Sequence, residues 1–335
     1  MLKLSLIADN GFRKIKFTTA VDQPVTIWDS VIFRVPGTIL HHPQPGSSFV
    51  TYKKGSAAKL VDSSWIIGRL AKDSAKPEAE YKFEKPAIAL QNILAIVASL
   101  PRVEGEVVLS PLVILHHEPD DEVIEQYCKE LAGAHEIVGN GKPLTVQINE
   151  SDIHVEPESD GANLWALNHK QVTPEDWVFG YDLGGKTAAI GVYRNGLLVP
   201  GSRFVLRRGG TRDLAASIAR DPGFKALCRE TAKIDLIMEG LHDSSYLYGS
   251  KFSFAGVVEN NQKLWVQGII QEAVDQLEPW LDVVTKNLFY GGSAERADIC
   301  KEYLDGVTIC KDFATANVQG IALKYSNAKE ARKAA

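Results

Sequence analysis

The chain has 335 residues, a formal net charge of −5 and 45% hydrophobic side chains, enough to bury sizeable cores and form two lobes. Its acidic balance argues against a broad face that grips nucleic acid, though not against a local basic patch. No apolar run approaches the ~20 residues that span a bilayer. Four cysteines, Cys128, Cys228, Cys300 and Cys310, show neither metal-ligand spacing nor a dense disulfide pattern. With no basic-then-apolar leader ahead of the first strand, reduced thiols and a cytoplasmic protein are expected.

Residues 4–17 read as an apolar strand ending on Asp9, then Asn10 and Gly11, then a return strand carrying Lys14 and Lys16. Residues 25–65 hold short apolar pieces broken by Pro and Gly, with a clear loop at 40–48. Its His41 and His42 read as exposed loop residues, because adjacent rings cannot project to one point. Residues 64–71 read as a strand or turn entering a helix, and 71–85 as a polar surface insertion. A helix is expected over 87–100, between Pro86 and Pro101, then a buried strand over 106–115. His116, His117, Glu118, Asp120, Asp121 and Glu122 look metal-rich by composition, but Pro119 followed by acids is more simply the acidic start of a helix. Strands follow at 135–138 and 144–148.

Residues 153–162 start as a strand and end in a turn. Pro157 fixes its own φ and pushes Glu156 toward extended geometry, which leaves Glu158 at the tip, free to point into a cleft. A short helix is expected at 162–168.

The second strand–turn–strand spans 177–193, with Asp182, Gly184, Gly185, Lys186 and Thr187 at its turn. Glycines let the backbone curl and approach a ligand closely. A curled turn points successive N–H groups into one concavity that suits phosphate oxygens. Asp182, at the strand end, is placed to hold a hydrated Mg²⁺ over them. An ordinary hairpin would use the same glycines simply to bend. Two Asp-x-Gly hairpins about a domain's length apart suggest a duplicated fold with phosphate-binding turns facing across a cleft.

Beyond it, Gly209 and Gly210 lead into a helix through Ala219. Residues 221–260 read as mostly helical with loops at 221–223 and 242–245. Val266, Ile269, Ile270, Val274, Leu277, Leu281 and Val284 place one long amphipathic helix over 264–286. Residues 287–295 read as a strand, a Gly291-Gly292 turn and a helix start at Ser293. A helix over 317–325 and a frayed polar tail from Ser326 close the chain.

Together these residues resemble the actin and sugar-kinase superfamily, and within it the bacterial plasmid-segregation actins, ParM and its relatives. Three features carry the likeness: Asp9-Asn10-Gly11 with Lys16 five residues after the glycine, the turn at 155–159, and the segment 289–295 followed by Ala316-Asn317-Val318-Gln319-Gly320. The resemblance implies an α/β, duplicated two-domain actin-like (ribonuclease H-like) fold with the nucleotide in the interdomain cleft. Domain I would be 1–170 with a small subdomain at about 25–85. Domain II would be 171–335 with a helical subdomain at about 209–285 and a C-terminal helix packing back on domain I.

It also implies roles. Asp9 and Asp182 would orient Mg²⁺ through its waters, and backbone N–H groups at Asn10, Gly11, Gly184, Gly185 and Lys186, with Thr187 beside them, would cradle phosphates. Lys16 would neutralise the β-phosphate, and Glu158 would orient the attacking water. Gly209 and Gly210 would offer N–H groups to ribose or phosphate, and Gly291, Gly292 and Ser293 would lie against adenosine. Phe12 and Arg13 replace the small or hydroxylated residues common in the first loop, Ala189 stands where an acid is often found, and Lys186 takes a usual Thr position. These departures imply slow hydrolysis or rearranged phosphate contacts. The implied function is an ATPase, with GTP the other candidate nucleotide, that assembles head-to-tail into filaments and moves plasmid DNA through a DNA-binding adaptor. The rivals are a small-molecule kinase, for which the first lobe lacks a convincing catalytic Asp, and an assembly scaffold that binds nucleotide without hydrolysing it.

Overall fold

Both Asp-x-Gly segments fold as antiparallel hairpins, and each hairpin lies at the heart of its own sheet. The computed structural model describes residues 1–11, 13–35, 45–74, 78–79 and 85–334. The chain divides into two units, residues 1–158 with 321–335, and residues 159–320. The crossing after Glu158 comes ahead of the boundary at 170 read from the sequence.

The first unit contains β1 (Leu2–Asn10), β2 (Lys14–Thr18), β3 (Thr26–Asp29), β4 (Val31–Arg34), β5 (Ser47–Gly55), β6 (Ser64–Gly68), α1 (Arg69–Lys72), β7 (Glu78–Ala79), α2 (Lys85–Ser99), β8 (Gly105–His116), α3 (Asp121–Leu131), β9 (Gly133–Gly139), β10 (Lys142–Ile148) and β11 (Ile153–Pro157). One sheet joins the strands in the order β3-β2-β1-β8-β10-β9-β5-β6-β4-β7. The long strand β8 is shared lengthwise: Gly105–Leu109 pair with β10, and Leu112–His116 pair in parallel with β11. From Leu6 to Asn10 every residue of β1 is buried, as expected for a strand covered on both faces. The helix α2 is apolar nearly all round and correspondingly buried from Ile88 to Val97, which makes it the spine of this core.

The second unit contains α4 (Asp160–Asn168), β12 (Trp177–Leu183), β13 (Ala188–Arg194), β14 (Leu197–Leu206), α5 (Thr211–Arg220), α6 (Pro222–Leu227), α7 (Ile234–His242), the small hairpin β15 (Leu247–Tyr248) and β16 (Phe252–Ser253), α8 (Val258–Gln276), β17 (Lys286–Tyr290), β18 (Val307–Ile309) and α9 (Ala316–Ala334). A 3-10 helix covers Ala294–Glu302. Residues 316–320 of α9 belong to this unit and those from Ile321 to the first.

The duplication is visible in the sheets. The second has the order β14-β13-β12-β17-β18, antiparallel across the hairpin and parallel beyond it. The run β3-β2-β1-β8-β11 of the first has the same order and the same directions. Asp9 lies opposite Lys16 across its hairpin, and Asp182 lies opposite Ala189, the same seven-residue step.

Three expectations are corrected. The amphipathic pattern over 264–286 is a helix starting at Val258 and ending at Gln276, followed by a 3-10 turn at Glu278–Trp280; Pro279 has no N–H to continue the ladder, so Leu281 and Val284 keep helical spacing without a helix. Asp221-Pro222-Gly223 is a helix start, not a loop: Asp221 accepts from Gly223 N–H at 2.7 Å, with Pro222 in the first turn. The closing helix continues past Ser326 to Ala334. The acidic stretch after Pro119 does open a helix, with Asp120 accepting from Val123 N–H at 2.8 Å. Phe12, His41 and His42 lie outside the described residues. Among the described residues no helix is long and apolar enough to cross a membrane.

Candidate functional site

In the first unit β1 delivers Asp9 and Asn10 to the hairpin turn almost fully buried, 5% and 3% exposed. Lys16, across the hairpin, reaches back to Asp9 Oδ2 at 3.2 Å. Lys14, on the same face, is engaged by Asp29 of β3 at 2.8 Å, so of the two lysines Lys16 serves the turn. Asp9 Oδ1 and both polar side-chain atoms of Asn10 are buried without a partner among the described residues. Buried polar atoms of this kind call for a water, an ion or a ligand oxygen as partner. Gly11 is required sterically: a Cβ there would lie 2.7 Å from the Lys14 carbonyl oxygen.

Glu158 is not the free tip read from the sequence. Because β11 runs beside β8, Pro157 falls opposite His116, and Glu158 N–H donates to the His116 carbonyl at 3.0 Å. Its carboxylate is ion-paired with Lys85, at the start of α2, and the two side chains are 16% and 20% exposed. Burial by itself raises the Glu158 carboxyl, but Lys85, with His116 and Lys16 behind it, outweighs burial and holds it below the usual range. Burial, aided by Lys85, pushes the His116 imidazole down. The neighbouring Glu156 turns elsewhere, accepting from Lys324 Nζ at 2.9 and 2.8 Å and from the Tyr325 hydroxyl at 2.8 Å on α9.

In the second unit the turn after β12 closes on itself, with Gly184 N–H donating to Thr187 O at 3.0 Å. A Cβ on Gly184 would sit 3.0 Å from that oxygen, the counterpart of Gly11. The start of α5 is sewn onto the turn: Thr211 N–H donates to Gly184 O at 3.0 Å and Arg212 N–H to Gly185 O at 2.9 Å. This contact explains both glycines before α5. A Cβ on Gly210 would run into the Lys186 backbone, and one on Gly209 would lie 2.8 Å from Ala188 Cβ. The N–H of Gly209 is already given to Leu206 O at 3.3 Å, so what the structure asks of Gly209 is small size, not the donor that the resemblance implied. The N–H groups of Gly185 and Lys186 have no partner among the described residues, and the Lys186 side chain is exposed.

Asp182 is 7% exposed. With Ala189 across the hairpin, it accepts from Asn317 Nδ2 of α9 at 2.7 Å, and Asn317 Oδ1 in turn accepts from Ala162 N–H of α4 at 3.0 Å. Gly291 follows β17 with φ +91°, and a Cβ there would strike Asp182 Oδ1. Ser293 N–H donates to Leu183 O at 3.0 Å, and its hydroxyl bonds that of Thr211. Gly292 is exposed with open space around it.

The structure thus gathers Asp9, Asn10, Gly11 and Lys16 in one unit, and Asp182, Gly184, Gly185, Lys186, Gly209, Gly210, Gly291 and Ser293 in the other. Sequence reasoning missed Asn317, Lys85 and His116. Asn317 lay inside a quoted motif without a role, whereas nothing in the local sequence links Lys85 to Glu158. No group of three or more His, Cys, Asp or Glu side chains that could hold a metal occurs among the described residues. A cation at Asp9 or Asp182 would therefore take one carboxylate and complete its shell with water and ligand oxygens, the habit of Mg²⁺; the unpartnered Asp9 Oδ1 fits that use.

No family model matches the chain, and no curated protein matches it in sequence. Solved structures do resemble it along nearly its whole length. Ta0583, an archaeal actin homologue, superposes with a TM-score of 0.75 at 16% identity, covering 97% of this chain and 99% of that one. ParM from a 15-stranded filament of Clostridium botulinum gives 0.72 at 16% identity, covering 98% and 99%. Bacillus thuringiensis ParM with ATP gives 0.65 at 16% identity, covering 97% and 98%. The chain has the two-domain actin-like fold.

Proposed function

We propose that this actin-like chain is a nucleoside triphosphatase whose nucleotide state governs its assembly into filaments. One observation carries the reading: the same strand–turn–strand, with a nearly buried aspartate next to the end of its first strand and a glycine two residues later, occupies equivalent places in two five-strand runs of the same order. Asp9 and Asp182 would orient Mg²⁺ through its waters, and the bound cation would supply charge neutralisation on the phosphates. Backbone N–H groups at Asn10, Gly11, Gly185 and Lys186 would cradle phosphate oxygens, with Lys16 adding charge and Glu158 aligning the attacking water. Thr187, Gly291, Gly292 and Ser293 complete the proposed nucleotide contacts. That a ParM relative in fold is seen with ATP and another in a filament supports this reading for ATP, with GTP the alternative. Head-to-tail contacts that do not close on themselves make filaments. Because the chain is acidic, cargo plasmid DNA would be held through a DNA-binding adaptor, in the cytoplasm.

A second reading, a scaffold that binds nucleotide without hydrolysing it, is favoured by the departures at the phosphate loops, Arg13 in the first and Lys186 and Ala189 in the second. Two measurements decide. Asp182→Ala should abolish Mg²⁺-dependent nucleotide binding with the fold intact, and Lys186→Ala should matter less; unchanged affinity in the Asp182 variant overturns the two-hairpin reading. Light scattering at 90° against protein concentration, with ATP, GTP or ADP, should show a nucleotide-dependent rise above a critical concentration. A scaffold gives the rise without phosphate release, and a small-molecule kinase gives no rise.

A further inference from the structure

The pairing of Glu158 with Lys85 is not explained by the architecture of the sheet. Glu158 leaves the end of β11 and Lys85 opens α2, on elements 73 positions apart in sequence, and both side chains are largely enclosed. Lys85 precedes Pro86, so its backbone is held at a helix start. Burying two such charges costs several kcal/mol per ion before their attraction returns it.

We propose that Lys85 is a positioning residue for Glu158: its ammonium holds the carboxylate in one orientation, the one in which it would align the attacking water. This rests on the nucleotide-hydrolysis reading above. The alternative, that Lys85 merely fills space, does not account for an ammonium where a methionine of similar length would pack without a desolvation cost. Around Glu158, among the described residues, the charged and titratable groups are Lys85 from α2, His116 from β8 (itself beside Glu118), Lys16 from β2 with its partner Asp9 from β1, and Tyr127 from α3. Lys85 is the largest influence favouring the ionised carboxylate, against burial, which opposes it. Removing the ammonium takes away the strongest of these opposing influences, so the carboxylate is expected to gain its proton at a higher pH than in wild type.

The experiment compares wild type, Lys85→Met, Lys85→Arg, Glu158→Gln and the Lys85→Met/Glu158→Gln double variant. For each, Mg·ATP affinity is measured at equilibrium and single-turnover hydrolysis is followed across pH. Lys85→Met is expected to keep nucleotide affinity, to lose about 10²-fold in turnover, the scale of a misplaced catalytic group, and to move the acidic limb of the profile to higher pH. Lys85→Arg should recover most of the rate and the wild-type limb, and the double variant should be no slower than Glu158→Gln alone. Unchanged turnover and profile in Lys85→Met overturns the proposal, and so does faster turnover, which would make Lys85 a brake. Should Lys85→Met fail to fold, failure of the charge-retaining Lys85→Arg to keep the wild-type profile overturns it equally. Absence of nucleotide binding by wild type overturns the parent reading, whereas binding and turnover indifferent to Lys85 overturn only this inference.

Discussion

At the scale of single residues, Glu158 and Asp182 illustrate two ways of keeping a carboxylate in a nearly dry place. Glu158 has a cation beside it, and Asp182 has a neutral amide, Asn317, that is itself fixed by a backbone donor. The difference matters for what each substitution does. Glu158→Ala is expected to lower hydrolysis by roughly 10²–10⁴, the span of a water-positioning or general-base group, while ATP binding survives. Phosphate release and equilibrium nucleotide binding, measured side by side, check this; loss of binding would assign the turn a structural role, and normal hydrolysis would remove Glu158 from the chemistry. Asp182 and Asp9 were readable in the sequence because an aspartate two residues before a glycine at a strand end is a local pattern. Lys85 and Asn317 were not, because their partners lie far along the chain and only tertiary packing joins them.

Among the elements, the hairpins were the most legible part, since strand alternation and turn glycines are short-range signals. Elements ended by proline were misjudged where periodicity outlasted the hydrogen-bond ladder, as at Pro279, or where an Asp-Pro-Gly looked like a loop but capped α6. The helix α9 was read as ending in a frayed tail. Its polar surface hides a specific anchor: Lys324 and Tyr325 both address Glu156, and the Tyr325 ring lies 5.4 Å from that of His154. Burial first, and Glu156 second, push the Tyr325 phenol well up, so it stays a hydroxyl donor at all ordinary pH. Glu156→Ala should therefore cost about 2 kcal/mol, the worth of hydrogen bonds to a charged group, and raise hydrogen exchange along α9 from Ile321 onward. Turnover should stay within a few-fold of wild type where the protein is folded. A matching collapse of turnover in the Glu156 and Glu158 variants would mean that the two carboxylates act as one unit.

For the molecule as a whole, the duplicated plan was legible from two hairpins spaced a domain apart, while the extent of the first sheet, eleven strands among the described residues, was not, because short strands such as β4 and β7 carry little pattern of their own. Global stability should respond to mildly acidic pH through buried histidines. His135 is fully enclosed: its Nε2–H donates to Leu131 O at 3.0 Å and its Nδ1 accepts from the Tyr52 hydroxyl at 2.9 Å, an arrangement complete in the neutral form. Burial depresses its proton affinity, as it does for His116, where Lys85 adds to the effect. The unfolded chain, with histidine pKa values near about 6.5, then binds protons more readily than the folded one. Stability is fully present above that pH and falls as pH drops below it, by at most about 1.4 kcal/mol per pH unit for each histidine. Urea midpoints between pH 7 and 5 check this: the decline should be shallower in His135→Gln than in wild type, and a flat wild-type curve over that range would contradict it.

The partners chosen by the two aspartates also set when each turn can be finished. Asp9 finds Lys16 across 7 positions, whereas Asp182 finds Asn317 across 135. Closing the larger loop costs about 2–3 kcal/mol more chain entropy on a simple polymer estimate, and it cannot happen at all until the ribosome has made α9. The side-chain contact of the first turn is thus local in sequence, although its burial waits for β8. The second needs residue 317, and a nascent chain stopped short of it would carry the hairpin of the second aspartate without the amide that Asp182 accepts from.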